Sequence, residues 1–267
     1  MTHLERLAKQ LRLAIVALSS ATGTSHVGSC LSCADILVAA YNGGLRLGPE
    51  CVHDPCRDRL VFSKGHCAAA LYCALAQRGF FPMEELTRAF NQNGGLQEHP
   101  HLRAVAGVEI SAGSLGHGLS LGLGMALASR VLGAPFRVCV IMGDGEADEG
   151  SVWEAALLAG ARKFSHLCVI VDANGWQATG RSGEIMALEP LADKWRAFGW
   201  KAVEVDGHNP DRLKNLLATL GEGDAPLAIV ARTVKGKGVS FMEDDNNWHY
   251  RIPSEAEVCR AREELGL

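Results

Sequence analysis

A doubly wound α/β fold, with helices on both faces of a mostly parallel sheet, is predicted by how apolar residues recur along these 267 residues. Apolar runs of strand length alternate with longer segments of helical period, the pattern that crossover units leave in a sequence. The breaks between them fall at Gly, Pro, Asp or Asn, which end helices and form turns. No Pro/Ser-rich linker, repeat or low-complexity tract divides the chain, so one domain spanning 1–267 is expected.

Taken in order, the chain opens on a charged amphipathic stretch over 3–20, followed by GSCLSCADILVAA, which reads as one apolar helix. Strands are expected at 59–62, 136–142, 167–171, 201–205 and 227–231, and helices at 115–132, 151–164, 188–198 and 210–220. Two long segments, 94–118 and 233–248, combine glycine with polarity in a way that core packing does not require. Long loops of this kind in a compact domain are read as functional.

The composition is 48% hydrophobic and 21% charged with a net charge of -4, a soluble globular profile without the basic excess that nucleic acid or an anionic membrane would call for. No apolar run reaches the roughly 20 residues of a membrane span, and the N-terminus lacks the basic-then-apolar layout of a signal, so a cytoplasmic location is expected. The nine cysteines are scattered through apolar segments and are read as free, buried thiols. Cys30 and Cys33 form a C-x-x-C, but it lies on a helical pattern, and Cys51 and Cys56 have the wrong spacing for a zinc partner pair.

The strongest local signal is VCVIMGDGEADEGSVWEAALLAG, where an apolar strand ends in Gly143-Asp144-Gly145 and an acidic loop opens a helix. The carboxyl end of a parallel strand is where ligands bind, because unpaired N–H groups there face an anion. Asp144 between two glycines lets the backbone approach a phosphate and offers a carboxylate to a hard cation. About thirty residues on, LCVIVD ends in Asp172-Ala173-Asn174-Gly175-Trp176, which sets an amide oxygen at a second strand end. Asp144, Asn174 and a carbonyl near Trp176, with two phosphate oxygens and water, would make a shell for Mg²⁺, Ca²⁺ or Mn²⁺. Either motif alone reads as a strand-to-helix turn; the pair does not.

A strand ending in GDG, then about thirty residues and an Asn-containing strand end, resembles the thiamine diphosphate signature, and EG-x-x-WEA within it looks like transketolases. SHVGSCLSCADILVAAY, SKGH, GVEISAGSLGHGLSLGLGMA and KGKGVSFMEDDNNWH resemble further motifs of that family in the same order, along nearly the whole chain. The resemblance implies the family's diphosphate-binding domain, with Asp144, Asn174 and the Trp176 carbonyl on the metal and Gly145 beside the diphosphate. It also implies that His66 and His249 reach the diphosphate region, that Gly113, Ser114 and Leu115 lie along the pyrimidine, and that Glu149 and Glu154 sit at the subunit contact, where Glu149 serves cofactor and catalysis.

Of ten histidines, His26, His66, His99 and His249 sit inside these loop motifs. Two-carbon transfer from a ketose to an aldose needs protons moved near neutral pH, which suits imidazoles with pKa values around 6.5. By resemblance His26 and His249 handle those protons and contact the cofactor, and His99 holds a hydroxyl of the two-carbon fragment. Tyr250, Glu98, Ser114 and His117 stand where related sequences usually carry other residues, so a specialised sugar is open beside a pentose phosphate. The run Thr233 to Gly238 reads equally as a phosphate site, through Lys235 or Lys237, and as a solvated turn.

The family's pyrimidine-binding and C-terminal domains have no counterpart in these residues and are expected on a separate chain, as a heterotetramer with two copies of each subunit. The competing readings are another thiamine diphosphate enzyme (a 2-oxo acid dehydrogenase α subunit or a deoxyxylulose-phosphate synthase half), a non-catalytic paralogue, and a Mg²⁺-dependent phosphatase.

Overall fold

The computed structural model describes residues 1–267. Helix α1 (His3–Thr22) starts at a capping box between Thr2 and Glu5 and stops at Gly23, which takes the left-handed conformation that L side chains resist. The apolar stretch that follows is two short helices, α2 (Val27–Ser32) and α3 (Ala34–Ala39), rather than one. They part at Cys33 (φ -92°, ψ 6°), next to Ser32, whose hydroxyl donates to the Asp172 carboxylate at 2.6 Å. A polar residue recruited by the far side of the fold thus accompanies a break that the local pattern does not show.

Strand β1 (Arg59–Phe62) leads through the Ser63-Lys64-Gly65-His66 turn into α4 (Ala68–Arg78) and α5 (Met83–Ala89). After the long glycine-containing loop come α6 (Gly118–Leu132) and β2 (Val138–Gly143). A 3-10 turn over Gly145–Asp148 precedes α7 (Gly150–Ala161), so the acidic loop itself is wound before the helix begins. Then follow β3 (Leu167–Ala173), α8 (Ser182–Ile185), α9 (Leu191–Ala197), β4 (Lys201–Asp206), α10 (Pro210–Ala218), β5 (Leu227–Arg232) and α11 (Glu255–Leu265). All five expected strands are present, and the ends shift by a residue or two, where local signals are weakest.

The sheet is entirely parallel in the order β1-β2-β3-β5-β4. Alternation along each strand divides the core. Phe62, Cys139, Ile141, Cys168, Ile170 and Ile229 face α1 to α4 and α10, while Val61, Val140, Met142, Val169, Val171 and Val230 face α6, α7 and α9. Burying a side chain of this size contributes about 1.5–3 kcal/mol, which requires that both faces be covered. No helix is long and apolar enough to cross a membrane. The loops after β1, β2, β3 and β5 all leave the sheet at one edge, and there the fold opens.

Candidate functional site

A cavity of about 320 Å³ lies at that carboxyl edge. Its floor comes from two neighbouring strands. Gly143 of β2 stands in register with Asp172 of β3, so the next residues, Asp144 and then Asn174, are brought side by side. Asp144 is 5% exposed; its Oδ1 accepts from the Gly145 N–H at 3.0 Å, and its Oδ2 accepts from the Gly175 N–H at 2.8 Å and the Ser182 hydroxyl at 2.9 Å. Burial, with Asp172 nearby, still pushes this carboxyl up to about 6. Asn174 turns its amide oxygen to the Trp176 N–H at 3.0 Å, and no main-chain donor reaches the Trp176 carbonyl.

The walls carry imidazoles. His26 caps the start of α2 in the left-handed conformation (φ 66°), and its N–H donates to the His249 carbonyl at 3.0 Å. Backbone strain of this kind, of order 1–3 kcal/mol, gathers at functional sites. The His26 ring centroid lies 5.4 Å from that of His66 and 4.6 Å from that of His249, and His66 and His249 are 6.0 Å apart. His99, from the loop between α5 and α6, also lines the cavity, as do Gly113, Leu115 and Trp176. Segments distant in sequence therefore present their imidazoles to one space.

These rings are not the near-neutral groups expected from their ordinary value. Burial, then the charges of His99 and Lys235, lowers His26 to about 4; burial, then Lys235 and His26, lowers His249 to about 3; and burial with Lys64 nearby holds His66 well below its usual range. All three are uncharged at pH 7. They offer hydrogen bonds and lone pairs rather than cationic charge until an anion arrives.

Three residues that the motifs alone do not single out complete the site. Lys64, which stands in SKGH beside its histidine, is 1% exposed and pairs with Asp172 while donating to the Ser29 carbonyl at 3.1 Å. Lys235, which reads equally as part of a solvated turn, is 0% exposed; its ammonium donates to the Asn246 amide oxygen at 2.6 Å and to His249 Nδ1 at 3.2 Å. Only Lys237 fits the solvated-turn description, 35% exposed and paired with Glu243 at 3.1 Å. Glu146 accepts from the Ser63 hydroxyl and, at 2.9 Å, from the Gly116 N–H, which ties two cavity loops together. No signal within GDGEADEG sets it apart from the other acids.

Ser114, Glu149 and Glu154 lie outside the cavity, as the subunit-contact expectation for Glu154 requires. Ser114 and Glu149 are exposed and do not line the cavity; Glu149 precedes α7, close against Gly116. Glu154 opens onto a wider concavity, about 670 Å³, between α6 and α7. Leu123, Leu127 and Leu158 stand in the walls of that groove beside Arg130 and Arg162.

Two cavity-wall atoms, His26 Nδ1 and Glu146 Oε2, are buried without a partner, a costly state that a ligand bound there relieves. The Lys235 ammonium and the neutral imidazoles fit an anionic group. A desolvated aspartate beside an amide oxygen and a free carbonyl fits a hard cation next to it.

Comparison with known proteins bears on the anionic group. Residues 4–267 match the family model described as transketolase, thiamine diphosphate binding domain. A 6-deoxy-6-sulfo-D-fructose transketolase subunit of Clostridium sp. (strain MSTE9) is 44% identical over 223 residues, covering 83% of this chain and 81% of that one. An apulose-4-phosphate transketolase subunit of Phocaeicola vulgatus is 38% identical over 267 residues, 98% and 93% of the two chains. Among solved structures, transketolase from Campylobacter jejuni superposes with a TM-score of 0.92 at 27% identity over 100% of this chain but only 43% of its own. With the family model matched across almost its whole length, this chain belongs to the transketolase family, as its thiamine diphosphate-binding domain.

Proposed function

We propose that this chain is the diphosphate-binding subunit of a two-component transketolase of the cytoplasm, moving a two-carbon ketol unit from a ketose, a phosphorylated one by default, to an aldose. The observation that carries this reading is the junction of Asp144 and Asn174 at paired strand ends beneath His26, His66, His99 and His249. Relatives matched over most of their own length bear names of transketolase subunits, which supports a partner chain.

Asp144, Asn174 and the Trp176 carbonyl would hold Mg²⁺, and Gly145, His66 and His26 would face the diphosphate, with Lys235 behind His249. Gly113 and Leu115, on the cavity wall, would hold the pyrimidine. When bound, thiamine diphosphate would supply the electron sink that two-carbon transfer needs. The chain's own part is proton placement. His26, neutral at pH 7, accepts or returns a proton at a sugar hydroxyl; His249, whose Nδ1 already accepts from Lys235, donates to one from Nε2; and His99 orients the hydroxyl of the transferred fragment. The exposed Glu149 and Glu154, the latter in the wall of the α6–α7 groove, would meet a second copy of this chain in a heterotetramer of two copies of each subunit.

Titration calorimetry with thiamine diphosphate and MgCl₂, with and without the partner chain, tests this reading, followed by donor consumption with ketoses and with pyruvate. Mg²⁺-dependent binding and ketose turnover are expected. Binding with pyruvate turnover would move the chain to another thiamine diphosphate activity, and no binding in any mixture would leave a fold without its chemistry.

A further inference from the structure

The fifth strand end also reaches the cavity, indirectly. β4 runs out into Gly207 and His208, and His208 lies outside the cavity wall. Its Nδ1 is 2.8 Å from Asp35 Oδ2, and its Nε2 accepts from the Val234 N–H at 2.8 Å. Asp35 is 3% exposed on α3 and is also paired with Arg12 of α1, itself 6% exposed. Burial raises the Asp35 carboxyl, but the His208 hydrogen bond and the Arg12 guanidinium outweigh it and hold Asp35 below the usual carboxylate range.

The assignment of protons follows from these contacts. A carboxylate that already accepts from Arg12 has no proton to give, so His208 donates from Nδ1. A main-chain N–H can only donate, so Nε2 is bare. The residue after Val234 is Lys235, whose ammonium donates to His249 Nδ1 and so leaves His249 with its proton on Nε2. The same segment is pinned by the Thr233 hydroxyl on Asp172 and by the Gly236 N–H on the Gly28 carbonyl at 2.9 Å. Thr233 meets the Lys64–Asp172 pair through its own hydroxyl, whereas at Val234 a side chain oriented by a buried ion pair grips the main chain itself.

We infer that Arg12, Asp35 and His208 form a buried relay that locks His208 as its Nδ1–H tautomer and thereby clamps Val234, so that Lys235 is held against His249. His208 is a positioning residue for the cavity, acting through the main chain rather than on any ligand. The charged neighbours of the ring are Arg12 and Asp35 on one side and Glu243 from the 233–248 loop on the other.

Nitrogen-15 NMR of the imidazoles in the full chain, without cofactor, reads the tautomer. His208 is expected as Nδ1–H and His249 as Nε2–H at pH 7; an Nε2–H tautomer at His208 would overturn the proposal with no mutation needed. Hydrogen exchange then compares His208→Ala and His208→Gln. The alanine variant is expected to exchange the Val234 amide about tenfold faster while the Thr24 amide, bonded to the Ser19 carbonyl in another part of the fold, stays unchanged. The glutamine variant, whose amide can give and accept as the imidazole does, is expected to restore part of the protection. Unchanged Val234 exchange in His208→Ala also sinks the idea. A final arm rests on the cofactor reading above: thiamine diphosphate affinity in MgCl₂ should fall about tenfold in His208→Ala. Failure of the cofactor arm in wild type is failure of the functional reading, whereas the tautomer and exchange arms need no ligand.

Discussion

Lys64 and Asp172 form an ion pair in which the side chains are 1% and 0% exposed, directly behind the strand end that carries Asn174. The same carboxylate accepts from the Ser32 hydroxyl at 2.6 Å and from the Thr233 hydroxyl, and the same ammonium donates to the Ser29 carbonyl at 3.1 Å. One buried charge pair thus joins α2, the loop after β1 and the loop after β5, three of the segments that wall the cavity.

Breaking that pair from one side leaves a charge stranded in the core. Lys64→Met is expected to cost about 3–5 kcal/mol in denaturant unfolding, and Lys64→Met with Asp172→Asn distinctly less, since removing both partners removes the unpaired charge. A loss below about 1 kcal/mol for the single variant would mean the pair is open to water in solution.

Asp144 offers the sharpest test of a cation. A divalent ion favours the ionised carboxylate that burial disfavours, so Mg²⁺ affinity should weaken as pH falls through about 6, where Asp144 takes up a proton. Asp144→Ala should weaken Mg²⁺-dependent cofactor binding by about 100-fold or more by calorimetry. Equal affinity in variant and wild type would place the cation elsewhere.

The depressed imidazoles make stability depend on pH in a definite direction. Above the ordinary value of 6.5, His26 and His249 are neutral in both folded and unfolded chains. Below it the unfolded chain binds protons that the folded chain refuses down to about 4 and about 3. Protons therefore favour unfolding, and the urea midpoint of the cofactor-free chain should fall as pH drops from 7 toward 4. Asp144, raised to about 6, works against this below that pH, because the folded chain is the better proton binder there. In His26→Phe with His249→Phe the fall should be shallower; an equally steep curve would assign it to other groups.

The groove between α6 and α7 should behave as an interface. Leu127 and Leu158 in its walls are 49% and 50% exposed, and Val131, Leu132 and Leu157 on the same two helices are 74%, 74% and 56% exposed. Leu158→Glu is expected to lower the assembled mass seen by light scattering without lowering the unfolding midpoint of the dissociated chain. A variant of undiminished mass would release this face from any role in assembly.

The order of the elements was legible because period and turn chemistry are local. Apolar runs such as CVIM and CVIV demand burial on both faces, and Gly143-Asp144-Gly145 and Asn174-Gly175 end strands by their own backbone preferences. The pairing of Asp144 with Asn174 followed from these, since neighbouring parallel strands end at the same edge of a sheet. What the sequence could not decide was the surroundings of each polar group. KGKG reads the same whether water or protein encloses it; Lys235 is buried because Gly28 and Trp248, from opposite ends of the chain, close over its stem. Glu146 and Glu149, three residues apart, part company because the 3-10 turn aims one at the loops carrying Ser63 and Gly116 and leaves the other at the surface. The imidazoles were found by motif, but their low proton affinity arises from burial and then from neighbouring charge, Lys235 before His26 in the case of His249, which exist only once segments more than a hundred residues apart have packed.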